Sequence, residues 1–109
     1  MNSTPPVVSL EQLWRELWIS LASLLRSYTA VHGLSSIRQA TVELGEKRIL
    51  SRFGANWLEL RREGSRVSWK REDGRSGDLE LTEAGRLLGS SGEVEMDLAA
   101  EAWARELMQ

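Results

Sequence analysis

The sequence has 109 residues, no cysteine, and a net charge of −2 from 14 basic and 16 acidic side chains. A chain of this length suits one domain with one modest core, so we expect residues 9–109 to form a single α+β domain behind a flexible lead-in of residues 1–8. The lack of cysteine excludes disulfides, thiolate metal sites and cysteine nucleophiles.

The first third of the chain predicts a long amphipathic helix. Ser9 and Gln12 have the spacing of a capping box, and apolar residues then recur at intervals of three and four as far as Tyr28. Gly33 is a natural stop. The apolar stretch is too short and too often interrupted by charge to span a bilayer, and the N-terminus has no secretory pattern. We therefore expect no membrane association and a cytoplasmic location.

From residue 40 onward the apolar period changes from helical to alternating. The segments "ATVEL", "NWLELRR", "RVSWKR" and "DLELT" each place apolar side chains on one side and polar ones on the other. Short turn-forming stretches rich in glycine separate these segments, with Asp73-Gly74 the strongest hairpin signal. The pattern predicts an antiparallel meander of about 4–6 short strands, with helices packed on one face in two layers.

The C-terminal part predicts a second helix. "GSSG" is interpreted as a flexible loop, and Asp97 as the N-cap of a helix that continues to Met108. The inner stripe of this helix is expected to comprise Leu98, Ala99, Ala102, Trp103 and Leu107.

Side chains that could carry chemistry are sparse. The single histidine, His32, stands at the predicted end of the first helix without a nucleophile near it in the sequence, which favours a structural role. Glu93, Glu95 and Asp97 alternate, but they are better explained as an acidic helix entrance than as a metal site. No phosphate-binding loop or nucleophile elbow is present. We therefore expect no enzymatic activity, cofactor or metal.

Five tryptophans are many for a domain of this size. Helical and strand phase place Trp14, Trp18, Trp69 and Trp103 in the core, and this filled core argues against an apolar ligand between helix and sheet. Trp57 instead falls on the polar face of its strand. The candidate interaction surface therefore comprises Trp57, Arg52, Arg61, Arg66 and Lys70.

Charge is unevenly distributed along the chain. Residues 61–75 hold six basic and three acidic side chains, whereas residues 76–109 hold two basic and eight acidic ones. Such complementarity can be satisfied within one molecule or between copies. A protein partner or self-association is thus the leading expectation.

The stretch from "LELRREG" through "KREDGRSGDLELTEAGRLL" resembles the wing of MarR- or PadR-type winged-helix regulators over roughly residues 58–88. The resemblance implies a recognition helix over about residues 50–63, ending at Arg61 and Arg62. It also implies that Lys70, Arg71 and Arg75 contact phosphates of DNA.

Two hypotheses remain open from the sequence. The first is a small non-catalytic binding or oligomerisation module that uses the polar face of an antiparallel sheet. The alternative is a winged-helix DNA-binding regulator with a basic wing at about residues 61–85. They differ in whether residues 50–63 form strands or a helix.

Overall fold

The computed structural model describes residues 7–34 and 37–109, with side chains described from residue 10 onward. Two helices enclose seven strands in chain order. The elements are α1 (Val7–His32), β1 (Thr41–Leu44), β2 (Arg48–Phe53), β3 (Asn56–Glu63), β4 (Arg66–Arg71), β5 (Ser76–Leu81), β6 (Arg86–Gly89), β7 (Gly92–Glu95) and α2 (Met96–Leu107). The predicted α+β class, with a helix at either end of an antiparallel meander, is confirmed.

The first helix has the predicted apolar stripe but begins two residues before the expected cap at Ser9. It runs for 26 residues, and Trp18, Leu21 and Leu25 on its inner side are fully buried. Residues 1–6 of the predicted lead-in lie outside the described residues. At the other end Gly33 donates its backbone N–H to the carbonyl of Thr29 at 3.0 Å, which ends the helix where the sequence indicated.

All seven strands belong to one antiparallel sheet in which each strand pairs with its neighbours in sequence. This exceeds the predicted four to six strands, because the segment around "GSSG" is a tight hairpin rather than a flexible loop. Gly89 and Gly92 form the last pair of β6 and β7, and Leu87 pairs with Val94. These strands have four residues each and bury few side chains, so their alternation is hard to recognise in the sequence.

Both helices pack on the same side of the sheet, which we call the covered face. Alternate residues of the central strands point into this layer and fill the space beneath the helices. The buried core comprises Trp18, Leu21, Ala22, Leu25, Ile49, Leu58, Leu60, Val67, Leu81, Leu87, Met96, Ala100 and Leu107. Trp14, Trp69 and Trp103 pack against this core but are only partly buried.

The second helix is rotated relative to the sequence prediction. Its N-cap is Glu95, without a side-chain capping bond, and Asp97 lies inside the first turn. Its buried residues are Met96, Ala100, Ala104 and Leu107, whereas Leu98 is 60% exposed. The predicted stripe was therefore wrong at Leu98, because Met96 fixes the inner phase one turn before Ala100.

Two polar contacts join the helices side by side. The Tyr28 hydroxyl donates to Asp97 Oδ1 at 2.6 Å, and His32 Nε2 lies 2.9 Å from Glu101 Oε2. Arg105 also donates to Glu101, at 2.7 Å. These hydrogen bonds hold the pKa of Glu101 below its ordinary value, that from Arg105 contributing most and that from His32 next.

Arg62 and Arg71 point into the covered face, where strand alternation places them in line with buried leucine and valine. The Arg62 side chain has no exposed area; it donates to Gly64 O at 2.9 Å and Glu11 Oε2 at 3.1 Å, and its guanidinium lies 5.9 Å from the Trp18 ring. Arg62 thus joins α1 to the middle of the sheet. Its ion pair and ring contact compensate for the loss of water around a buried cation.

Candidate functional site

The sheet face opposite the two helices, which we call the open face, carries every residue of the predicted interaction surface. Strand pairing places Arg52 directly across from Trp57, and Arg61, Arg66 and Lys70 point to the same side. No described part of the chain packs a helix onto this face. The predicted set of residues is therefore brought together on one accessible surface.

Trp57 lies in a shallow depression at one end of the open face. The depression has a volume of about 340 Å³, and Arg48, Leu50, Arg52, Gly54 and Glu59 complete its lining. Leu50 is only 5% exposed although it faces away from the helices, because its neighbours close around it. Trp57 is half-buried rather than fully exposed. The result is a small apolar floor within a charged rim.

The rim is organised by a carboxylate between two arginines. Glu59 Oε2 accepts from Arg48 Nε at 2.6 Å and from Arg61 Nη2 at 3.3 Å. Burial raises the pKa of Glu59, but the hydrogen bonds from Arg61 and Arg48 outweigh burial, and the net result is a lowered pKa. Glu59 therefore stays ionised and holds both guanidinium groups beside the depression.

The backbone of Trp57 is fixed from the opposite direction. Its N–H donates to Glu72 Oε1 at 3.0 Å, and the Glu72 N–H donates to the Trp57 carbonyl at 3.3 Å. Arg71 lies 3.7 Å from the same Glu72 carboxylate and also pairs with Glu106 of α2. Trp57 is thus connected to the last helix through three side chains, which restricts its movement.

A second depression, of about 320 Å³, lies at the other end of the central strands. Its lining includes Lys47, Arg61, Arg66, Glu63 and Ser68. Arg66 belongs here: it pairs with Glu63 at the far end of β3, six residues from Trp57. Trp57 and Arg66 therefore share the open face, as predicted, but lie at opposite ends of it.

The geometry implied by the winged-helix resemblance does not form. Residues 48–53 and 56–63 are strands, so the expected recognition helix over residues 50–63 is absent. Arg71 is 3% exposed and points into the covered face, which removes it from any phosphate contact. Arg75 is exposed but pairs with Asp73 at 2.7 Å and lies 3.5 Å from Glu106. Of the three expected phosphate contacts, Lys70 alone lies exposed on the open face without an ion pair to any residue that the structure describes.

The carboxylates considered for metal binding have other contacts. Glu93 and Glu95 both lie within ion-pair distance of Arg86, at 3.4 and 3.8 Å, and Asp97 accepts from Tyr28. Across residues 7–34 and 37–109, no group of three or more histidine or acidic residues is arranged to hold a metal ion. These contacts assign the acidic side chains to the sheet edge and the helix entrance.

Sequence reasoning missed two contributors to the site, Leu50 and Arg48. The sequence does not assign Leu50 to either face, because Ile49 beside it is also apolar. Pairing settles the phase, since Ile49 is opposite Leu60 in the core and Leu50 is opposite Glu59 on the open face. Alternation along β2 then places Arg48 on the same face as Leu50.

Comparison with known proteins gives no guide to the site: no family model, curated protein or solved structure matches this chain. Neither described helix is long and apolar enough to cross a membrane.

Proposed function

We propose that this chain is a small non-catalytic interaction module that binds a protein partner or another copy of itself through the open face. The observation that carries the proposal is the half-buried Trp57 above Leu50, on a sheet face that no described element covers. The absence of cysteine suits the reducing cytoplasm, and we place the activity there.

The composition of this surface is that of a binding hot spot. Tryptophan and arginine are enriched among residues that dominate interface energies, because they combine a large contact area with fixed polar groups. Here Trp57 supplies the apolar area, and Arg52 directly across the strand supplies a cation without an ion pair among the described residues. The hydrogen bond from the Trp57 N–H to Glu72 fixes the backbone at Trp57, which lowers the entropic cost of binding.

A capture experiment with matched variants tests this proposal. Tagged wild-type protein, Trp57→Ala and Leu98→Ser are incubated with an extract of the source cells and with untagged chain, and retained proteins are quantified by mass spectrometry. Leu98 is the control because it is an exposed apolar residue on the opposite side of the molecule. We expect a partner to be retained by wild type and Leu98→Ser and lost with Trp57→Ala. Equal retention by all three would refute an interaction through the open face.

The basic side chains of the open face also support nucleic acid as an alternative partner, because Arg52, Arg66 and Lys70 form no ion pair within the described chain. Titration of labelled duplex DNA at several salt concentrations separates the two functions. Steep salt dependence, reduced by Arg66→Ala with Lys70→Ala, would favour contact with the phosphate backbone. The protein-binding proposal expects no DNA binding at physiological salt.

A further inference from the structure

Strands β2 to β7 divide the open face into two halves of opposite charge, and β1 adds Glu43 at the outer edge. We call the side chains of β2, β3 and β4 the basic half and those of β5, β6 and β7 the acidic half. The basic half carries five cations and two carboxylates, and the acidic half carries four carboxylates and one cation. They are Arg48, Arg52, Arg61, Arg66, Lys70, Glu59 and Glu63 in the basic half, and Asp78, Glu80, Glu93, Glu95 and Arg86 in the acidic half.

Charges next to the boundary between the halves form no ion pair within residues 7–34 and 37–109. Arg66 and Glu80 are cross-strand partners, yet neither forms an ion pair with any described residue. Lys70 and Asp78 are diagonal neighbours, opposite Ser76 and Ser68 respectively, and they too form no ion pair with any described residue. Glu80 instead accepts a hydrogen bond from Ser65 Oγ at 2.8 Å. Two cations on β4 and two carboxylates on β5 therefore stand side by side, exposed and available to another molecule.

A two-fold axis parallel to the strands, lying above the boundary between β4 and β5 on the open side, would bring halves of opposite charge together. Rotation about this axis turns one open face onto another and places β4 over the partner's β5, β3 over β6 and β2 over β7. Each basic half then meets an acidic half, and the contact occurs twice, as in any isologous dimer. Opposed faces of twisted sheets pack in this way at a spacing of about 10 Å.

Resting on the proposed function, we propose that the partner is a second copy of this chain, bound face to face with the basic half of each copy on the acidic half of the other. Arg66 and Lys70 pair with the partner's Glu80 and the partner's Asp78. Leu88, which is 44% exposed in the single chain, is covered because β6 lies over the partner's β3. The dimer has four layers: helices, sheet, sheet, helices.

The available area suits a dimer that depends on concentration and salt. The six overlapping strands span about 25 Å, and six residues extend about 20 Å, so each face offers about 500 Å². Two such faces together bury about 1,000 Å², which is the area of a weak and reversible specific interface. Because charge pairs contribute much of the complementarity, added salt weakens the contact.

The mass of the wild-type protein is the first test. Sedimentation equilibrium over a range of protein concentrations, in low and in high salt, should give twice the chain mass of 12.3 kDa at low salt and a dissociation constant that rises at least tenfold at high salt. A protein that stays monomeric at the highest concentration in low salt overturns the proposal. A dimer that salt leaves unchanged also overturns it.

Charge reversal with complementation tests the arrangement itself. Arg66→Glu with Lys70→Glu makes the basic half acidic, and Asp78→Lys with Glu80→Lys makes the acidic half basic. Each double variant alone should be monomeric, because like charges then face each other in both contacts. An equimolar mixture should recover the dimer mass, and native mass spectrometry should detect one copy of each variant in it. A mixture that remains monomeric overturns the face-to-face pairing.

Arg26→Glu and Glu83→Lys are the controls, since Arg26 lies on α1 on the opposite side of the molecule, Glu83 lies in a turn, and neither forms an ion pair in the described chain. Both should dimerise like the wild type. Circular dichroism of all variants verifies folding, and recovery by mixing cannot arise from unfolded chains. If the wild type is monomeric while capture of another protein still requires Trp57, the second copy is wrong and the interaction module stands. If Trp57→Ala changes neither capture nor mass, both are wrong.

Discussion

Arg61 and Arg62 are adjacent in the chain, and their surroundings show what separates the two faces of the sheet. Arg61 is well exposed on the open face, where it forms part of the rim around Glu59. Arg62 has no exposed side-chain area and joins α1 to the sheet through Glu11 and the carbonyl of Gly64. Lys70 and Arg71 repeat this difference one strand further on. Strand phase, not residue type, decides whether a cation stabilises the fold or is available to a partner.

The strongest test of this difference removes each arginine in turn. Arg62→Ala should lower the free energy of unfolding by about 3 kcal/mol, because it removes the ion pair that joins α1 to the sheet and opens space beside the buried Trp18. Arg61→Ala, one residue away, should change it by less than about 0.5 kcal/mol. Urea unfolding monitored by circular dichroism measures both. Equal losses from the two variants would contradict the assignment of the faces.

Lys70 and Arg71 on β4 provide a second pair of neighbours for the same comparison. Arg71→Ala should lower the free energy of unfolding by about 2 kcal/mol, because it removes a buried guanidinium, while its partners Glu106 and Glu72 are accessible to water and recover hydration. Lys70→Ala should be neutral within about 0.5 kcal/mol. The same unfolding experiment applies. A loss of stability in Lys70→Ala as large as that in Arg71→Ala would show that β4 lies in the opposite phase.

A glycine on the covered face gives a steric version of the test. Gly77 pairs with Trp69, and a methyl group at Gly77 would lie 2.5 Å from the indole nitrogen. Gly77→Ala should therefore lower stability by about 1.5 kcal/mol through overpacking. Ser76→Ala, on the open face beside it, should have no measurable effect. Thermal unfolding distinguishes them, and a neutral Gly77→Ala would mean that Trp69 does not lie over β5.

The smallest expected effect concerns pH and the open face. The pKa of Glu59 is lowered from its ordinary value of 4.5, since the hydrogen bonds from Arg61 and Arg48 outweigh the effect of burial. Its contribution to stability is present above that ordinary value and is lost as pH falls through the lower pKa of the folded protein. Glu59→Gln should therefore make the decline of stability in acid less steep. Identical pH profiles for wild type and Glu59→Gln would contradict the role of Glu59 in the rim.

Much of the fold follows from periodicity in the sequence. The burial of two arginines also follows from it, although their charge predicts exposure. Leu58 and Leu60 alternate into the core, and the same phase continues to Arg62; Val67 and Trp69 likewise lead to Arg71. A cation at such a position is expected to be exposed, so the charge obscured the alternation. In this sheet both arginines follow the strand alternation and are buried, because carboxylates and carbonyls near the helices replace their water.

Contacts between distant segments could not be predicted from one sequence. The Trp57 environment depends on Glu72, fifteen residues away, and on Glu106 beyond it. Local patterns give each segment its type and phase, but they do not give the position of α2 across the sheet. The same limit explains why Leu98 was assigned to the core: its helical spacing is correct, and only packing reveals which side of α2 is covered.

The two helices that close the covered layer stand at opposite ends of the folding unit, and this has a consequence during synthesis. Tyr28 and His32 meet partners 69 residues later in the chain. At about 10 residues per second the ribosome needs about 7 s to make that intervening length. Through this interval the apolar side of α1 lacks its neighbour, and the growing sheet has only part of its cover. Completion of the core therefore awaits the last helix, so this domain acquires its native stability late.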